Sequence, residues 1–392
     1  MKPYYQDDYV TLHHGDCIET MRTMPEGSVD SIVTDPPYGL GFMGKKWDAL
    51  PPGEEWAREC FRVLKPGGHI LAFGGTRTWH RLAVAIEDAG FEIRDGVLWL
   101  YGSGFPKSHD ISKAIDKMAG VKFSASPASG VGFMRDDGRG GYNVTKNKLT
   151  REGESTSEAQ QWEGWGTALK PAYEPAVMAR KPFTGTVAGN VLEHGTGAIN
   201  VDACRVAHDE PAGKPSTGPH GKRAGIMGET VERHRETTAA STAGRWPANV
   251  ILDEHTAELL DEQSGTLSAG AFSKSRGADK SRTSHGKFKG QEGLEAHRTD
   301  SGGASRFFYV AKAPKSERPN VDGVAHPTVK PLALMRYLAK LVTPAGGTIL
   351  DPFAGSGTTI EAALIEGYNV IGIERETDYI PLIQCRVNRV TI

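Results

Sequence analysis

Thr348-Ile349-Leu350-Asp351-Pro352-Phe353-Ala354-Gly355-Ser356-Gly357-Thr358-Thr359-Ile360-Glu361-Ala362-Ala363-Leu364-Ile365 decides the fold of this 392-residue chain. An apolar run, a tight glycine turn and a helix-like stretch follow one another. That strand–turn–helix order brings backbone close to a nucleotide-like ligand. A second apolar run, Tyr368-Asn369-Val370-Ile371-Gly372-Ile373, ends on Glu374, near the spacing at which a carboxylate grips ribose hydroxyls. A dinucleotide enzyme wants Gly-x-Gly-x-x-Gly to hold a pyrophosphate, and Ile360 stands where the third glycine would be.

Far upstream, Asp35-Pro36-Pro37-Tyr38 ends another apolar run, Val29-Asp30-Ser31-Ile32-Val33-Thr34. Its Asp is therefore expected at a strand's carboxyl edge, facing the same crevice. Pro-Pro-Tyr alone also suits a polyproline ligand, but such a ligand belongs in a polar, disordered stretch, and residues 29–34 read as a buried strand. Together these motifs resemble the S-adenosylmethionine-dependent amino-methyltransferases of DNA. With the catalytic motif first and the cofactor motif last, the chain is similar to the β class of that family. S-adenosylmethionine has no phosphate, which fits the missing third glycine.

The resemblance covers about Tyr9 to Lys181 and His326 to Val387. It implies an α/β, Rossmann-like methyltransferase fold with a mostly parallel twisted sheet, helices on both faces and an inserted target-recognition region. Residues 1–183 would form the catalytic half, with a basic Gly-rich loop at about 102–165. Residues 184–320 would be the target-recognition region, and 321–392 the cofactor half.

Composition sets a plain background. A chain that is 38% hydrophobic can bury a large core. No run is long and apolar enough to cross a membrane, and Met1-Lys2-Pro3-Tyr4-Tyr5-Gln6-Asp7-Asp8 is no signal peptide. The four cysteines form no Cys-x-x-Cys pair, which suits a reducing cytosol and argues against structural zinc; no metal ligand is expected. The net charge of −2 does not by itself suggest nucleic-acid binding, so a DNA enzyme must concentrate its basic residues. They do concentrate. Lys107, Lys113, Lys117, Lys122, Arg135 and Arg139 crowd one Gly/Ser-rich stretch. Lys222-Arg223, Arg233-His234-Arg235 and Lys287-Phe288-Lys289 lie in another. Two such stretches interrupting an α/β core read as segments that order on a phosphate backbone.

A coarse walk predicts a strand at Val10–His14, a short helix through Thr20-Met21, and a helix from Glu54 to Leu64 stopped by Lys65-Pro66-Gly67-Gly68. A buried strand at His69–Phe73, a helix around Trp79–Ala89 and strands at Gly96–Tyr101 and Ala176–Ala179 follow. Before the last of these, Tyr173-Glu174 resembles a strand that completes the catalytic half in β-class enzymes. From Phe183 to about Asn320 the pattern is irregular, with islands at Trp246–Leu252 and Arg306–Val310. The core resumes at His326-Pro327-Thr328-Val329-Lys330-Pro331, ahead of a helix at Leu332–Val342.

The chemistry of Asp-Pro-Pro-Tyr follows from a poor nucleophile, an exocyclic adenine amine whose lone pair is delocalised into the ring. The Asp35 carboxylate and the Pro36 carbonyl would accept its two N–H groups and stabilise positive charge as it develops. Pro36-Pro37 stiffens the turn, and Tyr38 offers a face on which an extruded base stacks, worth ~1–3 kcal/mol. For the cofactor, the resemblance implies that Asp351, Phe353, Gly355 and Gly357 form the turn under the methionine half, with Ser356 and Thr358 near its carboxylate. Glu374 would hold the ribose hydroxyls. Asp16 would contact the adenine amine beside Cys17, with Asp35 facing the same pocket. Thr328 and Lys330, at a helix start, would suit the methionine carboxylate.

The expected activity is adenine-N6 methylation of duplex DNA. Asp at the first motif position favours it over cytosine N4, for which Ser-Pro-Pro is commoner in this family. RNA is a further target on the same fold, and a binding-only DNA sensor the alternative without catalysis. A protein glutamine methyltransferase also uses a Pro-Pro-Tyr loop, but motif order disfavours it. The resemblance implies a homodimer acting at DNA in the cytoplasm of a bacterium or phage-infected cell. No endonuclease signature is present, so any restriction endonuclease would be a separate partner.

Overall fold

The computed structural model describes residues 2–41, 48, 51–104, 108–126, 148–207, 244–268, 301–312, 317–321 and 323–390. They fall into two compact units, Met1–Gly102 with Tyr173–Ile392, and Ser103–Ala172.

The larger unit is built on one sheet. Its strands in chain order are β1 (Tyr5–Gln6), β2 (Val10–His14), β3 (Val29–Thr34), β4 (Leu64–Phe73), β5 (Glu92–Leu100) and β6 (Tyr173–Arg180). Four more follow: β7 (Val250–Asp253), β8 (Tyr309–Ala311), β9 (Thr348–Asp351) and β10 (Asn369–Glu374). Across the sheet the order is β1-β2-β10-β9-β3-β4-β6-β5-β7-β8. Only β1 against β2, and β6 against its two neighbours, run antiparallel.

The expected mostly parallel α/β fold is what the chain forms. Successive side chains on a strand point to opposite faces, and a parallel sheet needs both faces covered. Val33, Leu71, Phe73, Met178 and Ile349 pack on one face against α6 (Leu332–Val342), α7 (Thr358–Ile365) and α8 (Ile380–Val387). Their neighbours Ile32, Ile70, Ala72, Val177 and Leu350 pack on the other. There they meet α1 (Cys17–Arg22), α2 (Glu54–Val63) and α3 (Trp79–Asp88). Each fully buried Leu, Ile, Val or Phe in these layers stabilises the fold by roughly 1.5–3 kcal/mol. Two further helices, α4 (Val187–His194) and α5 (Glu254–Ser264), lie between β6 and β8 in the chain.

Three expectations are modified. Lys65-Pro66-Gly67-Gly68 does not merely stop α2; it opens β4. Gly67 at φ +80° donates to the Lys181 carbonyl at 3.0 Å, and Lys181 N–H returns a bond to Gly68 at 2.9 Å. Strands β5 and β6 begin before their apolar cores; in β5 the first residues, Glu92–Gly96, are exposed, and their polarity hides the strand's start. Within 184–320, the islands at 246–252 and 306–310 hold β7 and β8, which extend the same sheet beyond β5. The compact unit that separates is 103–172. It pairs Phe123–Ser126 with Lys148–Arg151, beside helices Ile111–Met118 and Ser157–Gln161. Buried Asp116 ties it together, accepting from the Thr156 N–H and hydroxyl and the Ser155 hydroxyl and pairing with Arg151. The clusters at 222–223, 233–235 and 287–289, with Lys107, Arg135 and Arg139, lie outside the described residues. Among the described residues no helix is long and apolar enough to cross a membrane.

The topology places the site. From β3 the chain moves to β4 on one side; from β9 it moves to β10 on the other. Neighbouring β3 and β9 therefore flank a switch point, where α/β sheets open a crevice at the strands' carboxyl ends.

Candidate functional site

One pocket opens at that crevice, and it is lined by both motifs: Asp35 to Tyr38 after β3, and Asp351 to Ser356 after β9. Asp16 and Cys17 after β2, Glu374 at the end of β10, and Thr328 and Lys330 before α6 also reach it. Because β6 is antiparallel, its first residues bring Glu174 to the same edge. Of the residues expected at the site, only Gly357 does not line the pocket. It stands at the N-cap of α7 with φ +79°, where a Cβ would lie 3.1 Å from the Ile383 Cα.

The cofactor side is fixed by carboxylates that bond to backbone. Asp351 accepts from the Thr34 hydroxyl at 2.7 Å, which links β9 to β3, and from Phe353 N–H at 3.1 Å. Burial pushes its carboxyl up to about 6. Glu374 accepts from Gly355 N–H on one oxygen and from Glu376 N–H on the other, both at 2.7 Å. Burial pushes it up to about 7. Glu374 thus holds the glycine turn as well as facing the pocket. Phe353 packs against Trp56, and the Ser356 and Thr358 hydroxyls lie 3.1 Å apart.

Across the pocket, one oxygen of Asp16 caps α1, accepting from Ile18 and Glu19 N–H at 2.9 and 3.1 Å. Its other oxygen has no partner among the described residues, so capping and ligand contact are compatible in one side chain. Burial raises the Cys17 thiol to about 12, leaving it a neutral wall of the pocket. His326, not singled out from the sequence, packs edge-on against Tyr379 with centroids 4.5 Å apart and bonds through Nδ1 to the Thr328 carbonyl. Burial holds its imidazole below the usual range.

Lys330 is the clearest departure from expectation. Instead of standing free for a cofactor carboxylate, its Nζ lies 2.6 Å from Asp35 Oδ2, 3.0 Å from Glu174 Oε2 and 3.0 Å from Tyr38 Oη. Those contacts use all three ammonium N–H groups. Burial opposes the charge, but the Asp35 and Glu174 carboxylates outweigh it and hold the amine above its usual range. The Tyr38 hydroxyl lies 2.9 Å from Asp35 Oδ1 and 3.0 Å from Glu174 Oε2. Burial, then the two carboxylates, keeps the phenol protonated well above its ordinary range.

Asp48 was also not singled out. Its buried carboxylate accepts from Tyr38, Gly39 and Leu40 N–H at 2.7, 2.9 and 3.2 Å, gathering the backbone that follows Pro37. The Thr78 hydroxyl donates to the Tyr38 carbonyl at 2.6 Å from the other side. The signal was an acid shortly after Asp-Pro-Pro-Tyr-Gly, but nothing local says that it turns back. Among the described residues no group of three or more His, Cys, Asp or Glu is placed to hold a metal ion.

Comparison with known proteins places the chain in a family. The DNA methylase family model matches residues 29–385. Among curated relatives, Type II methyltransferase M.HindIII of Haemophilus influenzae is 22% identical over 48% of this chain and 64% of its own. Type II methyltransferase M.HpaI of Haemophilus parainfluenzae is 34% identical over 25% of this chain and 34% of its own. The matches thus span less than two thirds of these relatives' lengths. A solved M1.HpyAVI–SAM complex aligns over 97% of this chain and 99% of that one, at 16% identity and a TM-score of 0.40. With a family model covering both motifs and everything between them, the chain belongs to the DNA methylase family.

Proposed function

We propose that the protein moves a methyl group from S-adenosylmethionine to the exocyclic N6 amine of an adenine flipped out of duplex DNA. One observation carries this reading: Asp-Pro-Pro-Tyr and the glycine turn open onto a single pocket at the switch point of the sheet. Family membership supports methylation of DNA, and aspartate at position 35 supports adenine.

The residues fit the cofactor. Both Glu374 oxygens keep lone pairs beyond their backbone bonds, suited to ribose hydroxyls, and the Asp16 oxygen that has no partner among the described residues suits an adenine amine. S-adenosylmethionine, when bound, supplies an electrophilic sulfonium methyl. Asp35 accepts an N–H of the target amine and offsets the charge that develops on nitrogen, with the Pro36 carbonyl as second acceptor. Lys330 keeps Asp35 oriented before substrate arrives, so little reorganisation remains at the moment of reaction. The ring of Tyr38 stacks on the extruded base.

The test is transfer of tritiated methyl to unmethylated duplex DNA, with the product base identified after hydrolysis. Wild type should give N6-methyladenine. Asp35→Ala should lose at least ~10²-fold in rate, as removal of one transition-state hydrogen-bonding group does, while still binding S-adenosylmethionine. Label on cytosine N4 would overturn the choice of base; an Asp35→Ala rate equal to wild type would overturn the site.

A further inference from the structure

The arrangement around Tyr38 leaves one hydroxyl proton between two carboxylate acceptors. Tyr38 Oη lies 2.9 Å from Asp35 Oδ1 and 3.0 Å from Glu174 Oε2, and it also accepts from Lys330 at 3.0 Å. The hydroxyl donates to one carboxylate at a time. A hydroxyl so placed can take a proton from one carboxylate while giving its own to the other. Asp35 and Glu174 keep 25% and 22% of their side-chain surface exposed, whereas Lys330 keeps 8%.

Methylation of an amine makes such a route useful. A neutral amine that gains a methyl cation must lose a proton, and Asp35 is its first acceptor. A proton left on Asp35 would weaken the pairing with Lys330 that sets Asp35 for the next turnover.

We propose that Tyr38 and Glu174 carry this proton out of the site, with Glu174 as the terminal acceptor. The idea rests on the methyltransferase reading above. As the N–CH3 bond forms, the electrons of the S–CH3 bond pass to sulfur and the target nitrogen becomes positive. The N–H bonding pair then stays on nitrogen, and the proton passes to Asp35 Oδ1. Tyr38 Oη accepts that proton as it hands its own to Glu174 Oε2, so no phenolate forms. Glu174 gives the proton to solvent, and the four groups return to their starting charges. Lys330 remains an ammonium throughout and holds both carboxylates in line. Asp35 and Tyr38 touch the substrate; Glu174 acts through Tyr38.

The test compares wild type with Glu174→Gln and Tyr38→Phe in multiple-turnover methylation of unmethylated duplex DNA. The amide of Glu174→Gln keeps an oxygen for Lys330 and Tyr38 but cannot take a proton. The rate of that variant should fall ~10²-fold, the lower end for a positioned acid–base group, with binding of DNA and S-adenosylmethionine little changed. The solvent deuterium isotope effect on turnover should rise, and added formate should restore part of the rate. A purely structural role predicts neither. Tyr38→Phe, which keeps the ring, should lose a comparable factor and carries the test if Glu174→Gln does not fold. An unchanged rate in both variants, or a loss with unchanged isotope effect and no response to formate, would overturn the relay. A wild type that methylates no DNA would instead overturn the reading beneath it.

Discussion

Protonating Glu374 should loosen the ligand above the glycine turn, although burial makes the fold itself favour the protonated carboxyl. Burial raises its pKa from 4.5 to about 7, so between those values the folded chain keeps a proton that the unfolded chain has released. Its contribution to stability is complete below the unfolded value and is lost as pH rises through the folded one. Glu374→Gln cannot titrate, so its melting temperature relative to wild type should improve from about pH 5 to about pH 8. Cofactor binding has the opposite sense, since ribose hydroxyls donate to the ionised form. Affinity should fall by up to roughly tenfold per pH unit below the folded pKa in wild type and be lower but flat in Glu374→Gln. Calorimetry across that range checks both; a flat wild-type profile would remove Glu374 from the pocket. At this scale, what the sequence revealed was local. Asp35, Gly355 and Glu374 each follow an apolar run that announces a strand end. The partner of Lys330 was not legible, because Asp35 lies 295 residues away and no local pattern records such a contact.

At the scale of elements, the two turns carry the constraint. Gly357 caps α7 in the left-handed region, and a Cβ there would meet the α8 backbone at Ile383. Gly357→Ala should cost at least ~1–2 kcal/mol from backbone conformation alone, read by urea denaturation, and should weaken cofactor binding by tilting the turn. A variant as stable as wild type would show that the turn is not held as described. The other turn depends on Asp48. Asp48→Ala frees three N–H groups and should lower the methylation rate more than it lowers affinity for S-adenosylmethionine, because the catalytic loop moves and the cofactor side does not. Equal losses in the two would argue against that division. The helices and buried strands were predictable because their apolar periodicity is strong. The start of β4 at Leu64 was not, since Pro66, Gly67 and Gly68 read as a stop. Tertiary bonds decide there: the Asn190 side chain and the Thr196 hydroxyl both donate to the Pro66 carbonyl.

For the whole molecule, we propose, from the family likeness and the charge pattern, a homodimer that grips duplex DNA through its middle region. The chain's net charge of −2 requires that grip to be local. Neutralising Lys222-Arg223, Arg233-His234-Arg235 and Lys287-Phe288-Lys289 should weaken binding to all sequences alike, with cofactor affinity unchanged. The salt dependence of binding should flatten by about one unit of slope for each phosphate no longer gripped. Sedimentation that finds only monomer at working concentration would remove the dimer. The fold as a whole was legible from two motifs and their order. The recruitment of β7 and β8 to the same sheet was not, because strands of four and three residues leave too short a pattern to separate from loop. The central claim, that the two motifs form one machine for methylating DNA, is tested most directly by sequencing DNA from cells expressing the protein with a method that reports modified bases. The account predicts N6-methyladenine at one recurring sequence, absent when Asp35→Ala is expressed instead. Unmodified DNA from cells making folded, cofactor-binding protein, or modification that survives in the Asp35→Ala cells, would contradict it.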